Sequence, residues 1–401
     1  MAHSPSIHPF SADPDFDYEI RCAIGNTSEG GGVPGEILTA VSSVRKGDHE
    51  GWYSAWWELA QRTLAAAHSC AAANHRVSAS EAFLCASTYY GVAVNAVSAL
   101  ADDSKLASTF KLQEEAWNGF IANTDTQVEE VAIPYEDSKL PGWFFRSTSP
   151  NGATLVAVNG SDGSRASMIA SCVAPALRRG YNVLVFDGPG QQSQLFEQGV
   201  PFRYDWEHVL TPVYEFVSGL EAVDPAKIAV YGISQGSYWT TRALAFEHRF
   251  VAAVVDPGIV DVSTSWTSHL PSSLLKLLDE GKLEKFDKEM DFGMKFSPST
   301  ARTWNFRARP YGTKGYAETI EEVRKYTVAD IADQVTTPLL ILSPEGEQFW
   351  PGQSEKLAEL TGEVSTVVPF TAAEGASEHC EPLARSLVAQ RMFDWLDEKI
   401  S

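Results

Sequence analysis

Lys227-Ile228-Ala229-Val230-Tyr231 is a short β-branched and aromatic run that passes directly into Gly232-Ile233-Ser234-Gln235-Gly236, after which Ser237–Glu247 continues with helical character. A strand that turns sharply into a helix at a serine between two glycines is compatible with few architectures. The glycines remove the Cβ atoms that would collide as the chain reverses, so the serine can hold a strained backbone conformation with its hydroxyl exposed at the strand's C-terminal end. The helix beginning there adds free N–H groups and positive potential. Ser234 therefore reads as a nucleophile rather than as part of an incidental turn.

The rest of the chain supplies a setting for such a turn. Residues 1–125 read as an N-terminal arm and a helical module. The Gly-rich segment Ser28-Glu29-Gly30-Gly31-Gly32 is expected to be a flexible loop behind a loosely attached arm. Trp52, Trp56, Leu59 and Ala60 recur at helical spacing, and Ser78 and Glu81 have the spacing of a capping box. From residue 126 the period becomes extended. Gln127–Tyr135 and Leu140–Arg146 alternate like antiparallel strands at a sheet edge, where Pro141-Gly142 is tolerated. Short apolar runs follow at Thr154–Val158, Asn182–Phe186, Lys227–Tyr231, Val251–Val255, Pro338–Leu342 and Ser365–Val368, separated by helical segments. This order predicts an α/β fold with a mostly parallel sheet covered by helices on both faces. It divides the chain into a first part of the core (126–261), an aromatic-rich helical cap insertion (262–332) and the remainder of the core (333–401).

A serine hydroxyl needs a base, and nine histidines are available. His379 lies after the last strand and before the terminal helix, the position that the chain order serine, acid, histidine requires. His269, in the insertion, is a candidate for substrate contact, together with Trp266, Trp304 and Phe349. The acid belongs after the penultimate strand, where Glu347 is preferred, with Glu345 and Asp256 as alternatives. Oxyanion donors are expected from the backbone N–H of Gln235 and from Gly160 or Ser161 in the turn Asn159-Gly160-Ser161-Asp162-Gly163-Ser164. Gly188-Pro189-Gly190-Gln191-Gln192-Ser193 lacks the third glycine of a dinucleotide fingerprint, and no His or Cys cluster has metal-ligand spacing, so neither cofactor nor metal is expected.

A net charge of −21 argues against nucleic-acid and anionic-membrane partners, leaving a small-molecule substrate as the expected ligand. The five cysteines lack paired spacing, and Met-Ala-His-Ser-Pro carries no leader pattern, which points to a reducing, cytoplasmic setting. A homodimer is the general expectation for an enzyme of this size.

Phe186-Asp187-Gly188-Pro189-Gly190-Gln191, Gly232-Ile233-Ser234-Gln235-Gly236, Glu345-Gly346-Glu347-Gln348-Phe349 with Gly352-Gln353, and Glu374-Gly375-Ala376 before His379 together resemble one branch of the α/β-hydrolases. It is the branch of dihydroxypseudooxynicotine hydrolase and of the fungal polyketide-shortening hydrolases of melanin pigment synthesis. Arg76-Val77-Ser78-Ala79 and Ser87-Thr88-Tyr89-Tyr90 extend the resemblance into the helical module. It implies the α/β-hydrolase fold and a Ser-His-acid triad that often cleaves a carbon–carbon bond beside a ketone, although the branch commonly has Asp where this chain has Glu347. Retro-Claisen hydrolysis of a polyketide-like or aromatic ketone is the resulting expectation. A carboxylesterase or aminoacyl-peptidase, and a biosynthetic cyclase using the same pocket, are the alternatives.

Overall fold

A computed structural model describes residues 7–400; the opening residues read above for a leader lie outside that range. Eight strands form one sheet in the order β1-β2-β4-β3-β5-β6-β7-β8. They are β1 (Gln127–Tyr135), β2 (Ser138–Arg146), β3 (Thr154–Val158), β4 (Asn182–Phe186), β5 (Ile228–Ile233), β6 (Ala252–Asp256), β7 (Leu339–Pro344) and β8 (Ser365–Phe370). β1 and β2 run antiparallel to their neighbours, and every pairing from β4 to β8 is parallel. Every residue of β3, β4, β5 and β6 is buried, because helices cover both faces and leave two apolar cores.

β2 is not an edge strand, contrary to its sequence reading; β1 lies outside it. Pro141 is tolerated for a different reason. Its carbonyl accepts from Asp187, one residue past the end of β4, so the donor that proline lacks would have faced a strand that has already ended.

Five helices precede the sheet: α1 (Pro14–Gly25), α2 (Pro34–Val41), α3 (His49–Ala72), α4 (Arg76–Ala96) and α5 (Lys105–Asn123). The arm is not loose. Phe16 of α1 stacks on Trp52 at 4.3 Å, and Ile20 is fully packed. The Gly-rich segment is pinned as well: Cys85 Sγ donates to the Gly30 carbonyl, and the Tyr89 hydroxyl accepts from Val33 N–H. Ser78 and Glu81 do not cap a helix, since α4 has already begun at Arg76, whose guanidinium binds the carbonyls of Asn123 and Thr124 at the end of α5. The stretch from Arg76 to Ala99 is long and apolar enough to cross a membrane, its most apolar 18 residues having mean hydropathy 1.2, yet 83% of those residues are buried inside the molecule.

Between β6 and β7 lie the helices Thr264–Thr267, Ser272–Asp279, Leu283–Met294, Pro298–Ala308 and Tyr316–Val323. Arg302 on this insertion donates to the Ala99 carbonyl at 2.7 Å and Arg309 pairs with Asp103, which ties it to the module.

Candidate active site

β5 delivers Ser234 at φ 54° and ψ −133°, a left-handed conformation that an unstrained L-residue rarely adopts. Close packing requires glycine on either side. A Cβ on Gly236 would lie 2.5 Å from the Val158 carbonyl oxygen, and one on Gly232 would lie 2.4 Å from Thr240 Oγ1. The turn is clamped from β6: Ser234 N–H donates to the Asp256 carbonyl at 2.6 Å, and Asp256 N–H donates to Ser237 Oγ at 2.9 Å.

The loops after β7 and β8 bring the base and the acid to this serine. His379 Nε2 is 2.9 Å from Ser234 Oγ, and His379 Nδ1 is 2.8 Å from Glu347 Oε2. The other Glu347 oxygen accepts from the N–H groups of Phe349 and Trp350 at 2.8 and 3.1 Å, which fixes the carboxylate. Burial works to raise the Glu347 carboxyl, but the facing imidazole and these N–H donors outweigh it and hold it below the ordinary glutamate value. Glu345 is exposed and accepts from Ala372 N–H, and Asp256 lies beneath the turn without a hydrogen bond to the imidazole, so neither alternative acid occupies the Glu347 position.

His379 is held on several sides. Its N–H donates to Gln348 Oε1 at 3.1 Å, its carbonyl accepts from the Tyr18 hydroxyl at 3.0 Å, and the Phe349 ring meets the imidazole edge-on at 4.8 Å. Cys380 Sγ sits 3.3 Å from Nε2, the same nitrogen that faces Ser234. Cys380 and Glu381 both have positive φ (56° and 40°), so the chain behind the histidine is strained.

The turn after β3 divides the donor roles that sequence left open. A Cβ on Gly160 would lie 2.9 Å from Ser234 Cβ, so this position must be glycine for the turn to approach the serine. The Gly160 N–H, however, is taken by Asn159 Oδ1 at 2.8 Å. Among the described residues, Ser161 N–H and Gln235 N–H have no acceptor in the chain, which leaves them as the available pair. Gln191 holds the turn: its Nε2 donates to the carbonyls of Asn159 and Gly160 at 2.8 and 2.9 Å. That role was not read from the sequence, although Gln191 belongs to the glycine-rich string that carried the resemblance.

The insertion reaches the site through aromatic contacts. Trp304 meets Trp266 edge-on at 5.0 Å, Trp266 meets Tyr311 at 5.6 Å, and the Tyr311 hydroxyl donates to Gln235 Oε1 at 3.3 Å. His269 is exposed and hydrogen-bonds to none of the three site residues. Tyr18 is a site neighbour that sequence reading missed, because it arrives from a segment distant in the chain. Among the described residues no group of three or more His, Cys, Asp or Glu side chains could hold a metal ion.

A hydrogen-bonded serine, histidine and carboxylate on this sheet is the arrangement of a hydrolase, and comparison with known proteins agrees. "Hydrolase LUC6" of Fusarium sp is 27% identical over 412 residues, covering 98% of each chain. "20-hydroxy-prefusarin hydrolase FUS2" of Gibberella moniliformis is 29% identical over 276 residues, 66% of each. The crystal structure of 2,6-dihydroxy-pseudo-oxynicotine hydrolase shares the fold, with a TM-score of 0.73 at 18% identity over 94% of this chain and 95% of that one. Residues 155–386, which contain Ser234, Glu347 and His379, match the family model described as "Alpha/beta hydrolase family", and the chain belongs to that family.

Proposed function

We propose that this protein is a serine hydrolase that cleaves the carbon–carbon bond beside a ketone in a polyketide-like or aromatic substrate, through an acyl-enzyme on Ser234. The observation that carries the reading is the continuous hydrogen-bonded path from Ser234 Oγ through the His379 ring to Glu347, at 2.9 and 2.8 Å. His379 takes the serine proton as Oγ attacks the carbonyl, and Glu347 orients the ring and stabilises the imidazolium. Ser161 and Gln235 N–H groups face the developing oxyanion. The bond between the carbonyl carbon and its α-carbon then breaks, the electron pair leaves as an enolate or phenolate, and His379 returns the proton. Water finally releases the acid. The resemblance set out above supports a ketone over a simple ester.

Intact-mass measurement after incubation with aryl β-diketones tests this directly. An acyl adduct that maps to Ser234 and disappears in Ser234→Ala is expected. Turnover that survives Ser234→Ala would instead support the cyclase alternative, and an adduct formed from p-nitrophenyl esters but from no β-diketone would support the esterase.

A further inference from the structure

The Gly160 carbonyl and the Ser161 N–H are the two polar ends of one planar peptide unit, and in a trans unit they point in opposite directions. Whatever grips the carbonyl therefore aims the N–H. Gln191 Nε2 grips it at 2.9 Å, together with the Asn159 carbonyl at 2.8 Å, while Gln191 Oε1 accepts from Gly188 N–H at 2.8 Å. Gln192, the next residue, extends the grip. Its Nε2 reaches the Asp162 carbonyl, just beyond Ser161, at 3.5 Å, the far end of hydrogen-bond range, and its Oε1 accepts from Gln113 Nε2 of α5 at 2.7 Å. Gln113, Gln191 and Gln192 are all buried, so water does not compete for the bond between the amides. Gln192 also sits at φ 38°, a conformation that persists only where the surroundings fix it. The module meets the turn a second time at Ser164: a Cβ on Gly91 of α4 would lie 3.1 Å from Ser164 Cβ and Oγ, and 3.8 Å from Gln113 Oε1.

We propose that Gln113 is a positioning residue for the oxyanion turn, acting through Gln192 and Gln191 to hold the Ser161 N–H on its acceptor. The helical module thereby sets the rate of acyl transfer at a serine that Gln113 does not touch. The proposal rests on the reading of Ser161 and Gln235 N–H as the oxyanion donors. Gln113 supplies a donor to Gln192 Oε1 and holds that strained residue still; Gln191, its neighbour, then keeps the Gly160 carbonyl and the peptide behind it in place.

The test uses reagents that report on the oxyanion whatever the natural substrate: a fluorophosphonate, and an aryl trifluoromethyl ketone compared with the corresponding carbinol. Ser234 Oγ adds to the ketone carbonyl, its proton passes to His379, and the carbonyl π pair becomes an O⁻ facing the two N–H groups; the carbinol forms no such adduct. Gln191→Leu should slow Ser234 labelling and weaken the ketone by about tenfold or more, and Gln113→Leu by about threefold to tenfold, with carbinol binding within about twofold of wild type in both. Gln192→Ala removes the same amide bond from the other side and should cost at least as much as Gln113→Leu, so it carries the test should Gln113→Leu not fold. Adding Gln113→Leu to Gln192→Ala should cost less than about twofold further, because the tether is already gone. Wild-type labelling and ketone affinity in folded Gln113→Leu or in Gln192→Ala, or an equal loss of ketone and carbinol, overturns the role of Gln113 and leaves the Ser234 chemistry intact. A wild type in which neither reagent reacts at Ser234 overturns the reading of that serine, and the role of Gln113 with it.

Discussion

Ser234 is held at positive φ at a cost of about 1–3 kcal/mol, and the Asp256 carbonyl and the Ser237 hydroxyl keep it there. Space around it is equally restricted. Gly160→Ala places a methyl 2.9 Å from Ser234 Cβ, so either the turn after β3 or the serine must move. Labelling of Ser234 by a fluorophosphonate is expected to slow by about tenfold or more, because small misplacements of reacting groups carry large rate costs. The far-UV circular dichroism spectrum should not change. Glu347→Gln tests the other end of the path: an amide facing His379 Nδ1 at 2.8 Å can present its NH2 and favour the unproductive tautomer. A fall in kcat of about 10³-fold or more is expected, with substrate binding retained. Ser234, His379 and Glu347 were legible in the sequence because strand ends fix their order along the chain. Tyr18 was not, since its bond to the His379 carbonyl joins residues 361 positions apart through the docking of a helix that sequence read as a loose arm.

β6 and the loop carrying His379 meet in a buried acid pair. Asp256 and Glu381 are both fully buried, and their carboxyl groups lie within hydrogen-bonding reach of each other. Neither Glu381 oxygen nor Asp256 Oδ1 receives a donor from other groups, while Asp256 Oδ2 accepts from the Tyr231 hydroxyl at 3.3 Å. Burial raises both carboxyls, and the charge and hydrogen bond of Asp256 raise Glu381 further, while Glu381 in turn favours the ionised Asp256, so the pair retains on Glu381 a proton that the unfolded chain releases near pH 4 to 5. The sign follows directly. Above that range the folded state binds more protons than the unfolded state, so this pair's contribution to stability falls as pH rises, by up to about 1.4 kcal/mol per pH unit for one proton. Glu381→Gln removes the ionisation and keeps a donor for Asp256. Urea melts of wild type and Glu381→Gln should therefore diverge in favour of the variant between pH 5 and 8; parallel curves would show that no proton is retained. The strands themselves were legible to within a residue or two because a fully buried parallel strand reads as a short apolar run. The start of α4 was not, because the guanidinium of its own first residue, Arg76, binds the carbonyls at the end of α5 and no local cap is used.

At the scale of the molecule the question is whether the helical module, the insertion and the sheet melt as one unit. Arg165, just past the turn after β3, answers it through its contacts. Its guanidinium binds Asp187 at the end of β4 at 2.5 Å and Glu114 of α5 at 2.7 Å, and it lies 4.1 Å from the centre of the Trp143 ring of β2. Arg165 and Asp187 are almost completely buried and Glu114 is largely so, so the charges are screened little by water. Asp187 also accepts from the hydroxyl and N–H of Ser193, which leads into the loop that Gln191 uses to hold the turn beside Ser234. One cation thus joins the module to the sheet and supports the site. Arg165→Ala leaves two carboxylates facing each other without a counter-charge, a loss of about 3–5 kcal/mol when one partner of a buried pair is removed. Because module and sheet share the core that contains Trp117 of α5 and Trp143 of β2, 5.7 Å apart, the loss should shift the whole urea transition to lower denaturant. Tryptophan fluorescence, far-UV circular dichroism and Ser234 labelling should report the same midpoint in wild type and variant. A first transition in which helical signal is lost while labelling persists would show that the module is a separate folding unit, held to the sheet by contact alone.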